Sequence, residues 1–214
     1  MLYFLNEPLQ NERTSDSFED ARQEFYIDYG KLKENAKNHP KSEELLARIK
    51  EREQMLYDGN QDNDREAYEG IAFDMRQLGD YEGAIRGYWA SIAVYEDNAI
   101  SYRNLATSYK ETGQYEKAEA AYKKTIELDL RDTSSYRNLA DFYLYSMPDK
   151  KGKITSVMGE GLKRLPNHPD LLSYLAVFYQ NEGEKEKAIE YYKKLLEVSP
   201  ANESARSELN KLLR

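Results

Sequence analysis

A nearly repeated segment is the feature that most restricts what this chain can fold into. The five residues Tyr102-Arg103-Asn104-Leu105-Ala106 recur, 34 positions later, as Tyr136-Arg137-Asn138-Leu139-Ala140. Self-similarity at a period of roughly 20 to 50 residues is typical of chains in which one small unit of secondary structure is stacked repeatedly. The sequence therefore predicts an array of similar stacked units.

The same frame extends in both directions and divides residues 65–202 into four units. Each unit has a Tyr or Leu followed, after three, four and seven positions, by an apolar residue, an Ala and a second large apolar residue. This spacing places the side chains on one face of a helix, and the small Ala allows a neighbouring helix to approach closely. The predicted units are 65–98, 99–132, 133–168 and 169–202.

Glycines and prolines mark the breaks within and between these units. Gly79, Gly113 and Gly183 follow the first predicted helix of their units, where glycine tolerates the left-handed conformation of a helix C-terminus. Pro166 and Pro200 come at the ends of the third and fourth units. The third unit has two extra residues, so a longer basic loop is predicted over 146–153.

Taken together, the stripe, the turn glycine, the second helix and the closing proline resemble the tetratricopeptide repeat family. The resemblance covers residues 65–202, although Glu96 and Leu130 stand where the closing proline is expected. It implies an all-α fold, a right-handed α-α superhelix (solenoid) of helix hairpins. Within that fold the first helices of the units line a concave groove.

Residues 1–64 form an acidic N-terminal extension, with 15 acidic and 9 basic side chains. Apolar residues spaced three and four apart, among them Phe18 and Phe25, predict an amphipathic helix from about Ser15 to Asn38. A second helix is predicted from Ser42. Two roles stay open: the helices cap the first repeat, or they form an arm that dimerises or lies in the groove of its own array.

Residues 203–214 are predicted to form a C-terminal capping helix. Leu209, Leu212 and Leu213 supply its apolar side, and charged residues lie opposite. An open-ended array needs such a cap, because its terminal unit must present a polar outer face.

The polar segment before the first repeat loosely matches a calcium-binding loop. Oxygen-bearing side chains recur there at the ligand spacing of a helix-loop-helix site. Asn63 stands where such a loop needs Gly, so the alternative is a polar linker in which Asp64 caps the next helix. The calcium candidates are Asp58, Asn60, Asp62, Asp64 and Glu69, and no other metal or cofactor is predicted.

The composition is poor in the side chains that most often act in catalysis. The chain has no Cys and only two histidines, His39 and His168, each beside a proline in a predicted turn. A net charge of −8 argues against a nucleic-acid backbone as partner, because such binding depends on Lys and Arg contacts to phosphates. No apolar stretch is long enough to insert into a membrane. We therefore predict a cytoplasmic protein that is not an enzyme.

The family resemblance implies which residues face the groove. Arg103 and Arg137 offer forked donors for a carboxylate, and each precedes an Asn whose amide can pair with peptide backbone. Part of this set is similar to the family's carboxylate clamps, but the full set is absent. The predicted groove residues are Glu69, Phe73, Arg76, Arg103, Asn104, Thr107, Lys110, Arg137, Asn138, Asp141, Tyr145, Ser173, Val177 and Asn181.

These observations predict a scaffold or adaptor that binds a peptide segment of another protein in its concave groove, with an acidic residue or C-terminal carboxylate as one anchor. The alternative function is structural: the chain would form homo-oligomers through its N-terminal helices or its convex face. A peptide-binding adaptor loses its partner when the groove is altered. An assembly protein loses self-association when terminal or convex residues are altered.

Overall fold

The computed structural model describes residues 21–60 and 63–214. The regular secondary structure of these residues is helical, and they contain no strand. The predicted all-α fold of helix hairpins is confirmed. In chain order the helices are α1 (Tyr29–Ala36), α2 (Ser42–Met55), α3 (Asp64–Gln77), α4 (Tyr81–Val94), α5 (Ala99–Glu111), α6 (Tyr115–Leu128), α7 (Thr133–Tyr145), a 3-10 helix (Pro148–Lys153), α8 (Ile154–Arg164), α9 (Pro169–Asn181), α10 (Lys185–Val198) and α11 (Glu203–Leu212).

The chain forms two compact units, Met1–Leu128 and Asp129–Arg214. In the first unit, α3 pairs with α4 and α5 pairs with α6, while α2 packs on α3 and α4 packs on α5. In the second unit, α7 pairs with α8, α9 pairs with α10, and α11 packs on α10. Each unit is therefore a set of antiparallel helix hairpins in sequence order.

The turn glycines end the first helices of three hairpins, as predicted. Gly79, Gly113 and Gly183 have φ angles of 78°, 74° and 74°. At the first of them, the Gly79 N–H donates to the Arg76 carbonyl and the Asp80 N–H to the Met75 carbonyl, and the other two turns repeat this pair of bonds. This is the Schellman arrangement, which satisfies helix carbonyls that have no partner in the helix itself.

Small residues allow the two helices of the first hairpin to approach closely. A Cβ atom on Gly87 of α4 would come within 2.7 Å of the Ala72 Cβ of α3. The next hairpin joins this core through a buried hydrogen bond in which the Trp89 Nε1–H donates to the Tyr109 hydroxyl over 2.9 Å. The predicted apolar stripe is thus the surface along which helices meet.

The third hairpin differs from its prediction in the turn. Residues 148–153 form a 3-10 helix, where a loop was predicted. No glycine ends α7, and both the Ser146 and Met147 N–H groups donate to the Phe142 carbonyl. The added residues thus make their own short helix, because the chain must reach α8 without a left-handed glycine turn.

The long N-terminal helix predicted from about Ser15 to Asn38 is wrong over part of its length. Residues 24–28 are not helical, and α1 begins at Tyr29. The Asp28 side chain caps α1 by accepting from the Lys31 N–H, and the Phe25 ring turns to meet the Tyr68 ring at a centroid distance of 5.0 Å. A capping residue and a tertiary ring contact interrupt the apolar periodicity. Phe18 lies outside the described residues.

Three buried carboxylates of the first hairpin face cations from the N-terminal segment. Asp64 pairs with Arg22 over 2.8 Å, and Asp80 pairs with Lys31 over 2.6 Å. Asp74, which is 1% exposed, accepts hydrogen bonds from both Arg48 and Arg52 of α2.

This packing supports the capping role for the N-terminal helices, and dimerisation through them stays a prediction. Asp64 is the first residue of α3, and Asn63 at the cap position makes no side-chain capping bond. The predicted capping role of Asp64 is therefore wrong, because its carboxylate pairs with Arg22 instead.

The C-terminal helix α11 begins after Asn202, whose side chain caps it by accepting from the Ala205 N–H. Ala205 and Leu209 join a buried cluster with Leu172 of α9 and Tyr192 of α10. Its outer face carries charge, as predicted for the end of an array. Nowhere in the described part of the chain is a helix both long and apolar enough to cross a membrane.

The left-handed turn can be tested at Gly183. A Cβ there meets nothing within 4 Å, so Gly183→Ala should cost only backbone strain and lower the free energy of unfolding by about 1 kcal/mol. Gly159→Ala is the matched control, because Gly159 lies inside α8 with equally open space around it. The control should raise stability by about 0.5 to 1 kcal/mol through helix propensity. Urea unfolding followed by circular dichroism checks the two opposite signs.

The ion pairs of Asp74 with Arg48 and Arg52 predict that removing only the arginines destabilises the protein more than removing the arginines and the carboxylate together. Changing Arg48→Met and Arg52→Met together leaves the buried Asp74 carboxylate without an ion-pair partner. We expect the free energy of unfolding to fall by about 3 to 5 kcal/mol. Adding Asp74→Asn to that variant should restore part of the loss, because no buried charge remains. Fluorescence of Trp89, which lies in the same unit, reports the unfolding. A triple variant no more stable than the double variant would contradict the prediction.

Candidate functional site

A cleft lies between the first helices of the last two hairpins, in the second unit. It has a volume of about 290 Å³. On α7, Arg137, Asp141 and Tyr145 are spaced four apart and so share one helical face. On α9, Ser173, Val177 and Asn181 repeat that spacing. The cleft, called the α7/α9 cleft below, is lined by Arg137, Asp141, Leu144, Tyr145, Asp170, Ser173, Tyr174, Val177, Phe178, Asn181 and Glu182.

A hydrogen bond between the two helices organises the polar part of the cleft. The Tyr174 hydroxyl of α9 donates to Oδ1 of Asp141 on α7 over 2.7 Å. Burial of Tyr174 raises its pKa well above the ordinary value, and the bond to the Asp141 carboxylate raises it further. The hydroxyl therefore stays protonated and keeps donating throughout the neutral range.

The charges in the cleft are unequally satisfied. At one edge, Glu182 pairs with Lys151 of the 3-10 helix over 2.5 Å. Arg137 is exposed and makes no ion pair with any described residue. Asp141 is half-buried and uses only Oδ1, for the Tyr174 bond. Arg137 and Asp141 can therefore still bind groups from outside the chain.

Large apolar side chains stand uncovered beside these polar groups. Tyr145 is 78% exposed and Val177 is 45% exposed, one on each side of the cleft, whereas Phe178 is buried. Covering exposed apolar area contributes roughly 25 cal/mol per Å². The cleft thus combines apolar surface with polar groups that still have bonding capacity, as ligand pockets do.

Six of the predicted groove residues line this cleft: Arg137, Asp141, Tyr145, Ser173, Val177 and Asn181. Asn138 is half-buried on α7 and is not among the lining residues. Tyr174 lines the cleft but was not among the predicted groove residues, although its position in the repeat indicates it. Tyr174 occupies in the fourth unit the position that Asn104 and Asn138 occupy in the second and third.

The predicted groove residues on α3 lie in the first unit. The Glu69 carboxylate accepts from the Asn98 amide and pairs with Arg65, so it holds the start of α5. Phe73 is partly exposed, and the Arg76 guanidinium lies 5.2 Å from its ring centroid. Glu69 is therefore engaged within the protein, while Phe73 and Arg76 present a stacked pair at the surface.

Of the predicted groove residues on α5, some bond within the protein and others do not. The Thr107 hydroxyl donates to the Arg103 carbonyl and lies 3.3 Å from the Tyr122 hydroxyl of α6, so it faces its own hairpin. Lys110 pairs with Glu111 over 3.0 Å. Arg103 and Asn104 are half-buried, and their side chains make no hydrogen bond or ion pair with the described residues.

The calcium candidates do not converge in the part of the chain that the structure describes. Asp64 pairs with Arg22, Glu69 is held by Asn98 and Arg65, and Asp58 accepts from the Asn60 N–H within its own turn. Among residues 21–60 and 63–214, no three His, Asp or Glu side chains come together in a way that could hold a metal ion. Asp62 lies outside the described residues.

The two histidines bond to backbone in inter-helix turns. His168 caps α9, where its Nδ1 accepts from the Asp170 N–H over 3.3 Å. Nδ1 of His39 accepts from the Lys41 N–H over 3.2 Å.

The sequence and the fold agree with known proteins of one family. The family model for the tetratricopeptide repeat matches residues 99–132 and 169–202, which are the second and fourth units of the frame described above. No curated protein matches the chain.

Three solved structures are similar to it, and the second and third are described as tetratricopeptide repeat proteins. A MamA protein is 25% identical, with a TM-score of 0.52, over 70% of this chain and 81% of its own. A thermophilic protein of Thermus thermophilus is 20% identical, with a TM-score of 0.51, over 77% and 88%. YrrB, described as having an unusual peptide-binding site, is 19% identical, with a TM-score of 0.52, over 91% and 98%.

Residues 99–132 and 169–202 therefore match the tetratricopeptide repeat, and the resemblance drawn from the sequence is confirmed.

The hydrogen bond that joins α7 to α9 can be tested with two tyrosine variants. Tyr174→Phe removes the donor to Asp141, and we expect the free energy of unfolding to fall by about 1 kcal/mol. Tyr145→Phe is the control, because the side chain is mostly exposed and makes no bond to a described residue. Urea unfolding should leave the control unchanged. Equal effects of the two variants would mean that the Tyr174 bond contributes nothing to stability.

Proposed function

We propose that this protein is an interaction scaffold that binds a peptide segment of another protein in the α7/α9 cleft. The observation that carries the proposal is the exposure of Tyr145 and Val177 beside Arg137 and Asp141, whose charged groups keep bonding capacity. Apolar anchors surrounded by a few polar groups are what recognition of a peptide side chain requires. Catalysis is not part of the proposed role.

The match of two units to the tetratricopeptide repeat supports the same role. Stacked helix hairpins present the faces of their first helices as an extended binding surface. The description of YrrB as a protein with a peptide-binding site is consistent with such use of the fold. In this chain α7 and α9 are the first helices of their hairpins, so the cleft lies where a groove would form.

The alternative function is self-assembly through the N-terminal helices or the convex face, and the first of these two routes competes with the packing of the helices on the first hairpin. Arg48 and Arg52 of α2 are committed to Asp74, and Lys31 is committed to Asp80. Breaking such pairs leaves buried carboxylates without partners, which is unfavourable. Assembly through the faces of α1 and α2 that carry these side chains would require those contacts to be given up.

The apolar anchors give the direct test. Peptides selected from a displayed random library on the full chain should lose about tenfold or more in affinity when Tyr145→Ala and Val177→Ser are combined, since removing buried apolar contacts of this size is worth about 1.4 kcal/mol or more. Affinity is measured by fluorescence anisotropy of the labelled peptides.

The matched control changes Tyr95→Ala and Ile100→Ser. These two residues are also an exposed aromatic and an exposed aliphatic side chain, 55% and 48% exposed, but they belong to the first unit and do not line the α7/α9 cleft. Selected peptides should bind this control as they bind the native chain. Peptides that lose affinity equally in both variants, or in neither, would contradict binding in the cleft.

The predicted anchoring of a carboxylate by Arg103 and Arg137 stays a prediction. Arg103 lies in the first unit and Arg137 in the second. The same anisotropy measurement on the Arg103→Ala and Arg137→Ala variants shows how much each arginine contributes to peptide affinity.

A further inference from the structure

We infer that the α7/α9 cleft selects peptide segments that carry a lysine or arginine side chain. This inference rests on the proposed function and specifies the chemistry of the partner at that site. It reverses the charge that the sequence alone predicted for the ligand of Arg137. It depends on how the charged groups of the cleft are paired.

Acidic groups outnumber basic ones among the lining residues. Asp141, Asp170 and Glu182 face a single cation, Arg137. Lys151 neutralises Glu182, which leaves two carboxylates against one guanidinium. Because Arg137 and Asp170 are both exposed, water screens their charges more than it screens the charge of the half-buried Asp141. The balance of the cleft therefore favours a positive group.

Asp141 is the group best placed to receive that cation. Its Oδ1 accepts from the Tyr174 hydroxyl, and among described residues its Oδ2 has no partner. The Tyr174 bond fixes the carboxylate, so little conformational freedom is lost when a ligand binds. A lysine ammonium or arginine guanidinium reaching Oδ2 would complete a charge-assisted hydrogen bond.

The apolar walls suit the rest of such a side chain. Tyr145 and Val177 stand on opposite helices with large exposed areas. Lysine and arginine have aliphatic stems that pack on apolar surface while the charged end reaches a polar group. The face of an exposed tyrosine ring also attracts a cation. A glutamate would instead place its charge near Asp141 with only Arg137 to offset it.

The test uses three pools of short peptides with both termini capped, so that no terminal charge contributes. The flanking positions are random mixtures of uncharged residues, and the central residue is Lys or Arg, Glu, or Gln. Anisotropy measured on the full chain should show the Lys or Arg pool binding about tenfold more tightly than the Glu pool. Asp141→Asn should remove that preference.

Glu186→Gln is the control for loss of charge, because Glu186 is an exposed carboxylate of α10 with no ion pair to a described residue. It should keep the preference. A preference for Glu, no preference, or a preference unchanged by Asp141→Asn overturns the inference. If the combined Tyr145→Ala and Val177→Ser variant still lowers the affinity of every pool, the proposed function survives that result. If no pool responds to that variant, the cleft is not a peptide site and the proposed function fails as well.

Discussion

The rest of the structure depends on packing between neighbouring hairpins, because a single helix hairpin cannot bury its apolar faces alone. In the first unit, Trp89 of one hairpin bonds to Tyr109 of the next inside a shared core. The first hairpin packs against α2 and is joined to α1 by the ion pair between Lys31 and Asp80, and α11 covers α10 at the C-terminal end. Each hairpin thus has a partner within its unit.

The same packing leaves a surface open for binding. The helix α8 packs on both α7 and α9, and those two helices present other faces at the α7/α9 cleft. Their spacing of four residues then aligns Arg137 with Tyr145 and Ser173 with Asn181. Exposed Tyr145 and Val177 therefore follow from the architecture that buries Leu139 and Leu175 on the opposite sides of the same helices.

Buried or half-buried carboxylates serve two different purposes in this chain. Asp74 has both oxygens bonded by arginines of α2, so it holds structure together and has no capacity for a ligand. Asp141 has one oxygen bonded to Tyr174 and keeps the other. The difference lies in how many partners the surrounding helices supply, since a carboxylate can accept several bonds.

The sequence by itself determined the hairpin frame, the turn glycines and six of the residues in the cleft. These features are local: apolar spacing defines a helix face, and a left-handed turn needs glycine at one position. Only the tertiary structure decided that residues 24–28 interrupt the N-terminal helix, that 148–153 form a 3-10 helix, and that Tyr174 bonds Asp141. The first and last of those outcomes depend on side chains that meet across 33 or more positions, Phe25 with Tyr68 and Tyr174 with Asp141, and the apolar periodicity of the sequence does not show such pairings. The net charge of the cleft also follows only from the tertiary structure, because it depends on the ion pair between Lys151 and Glu182.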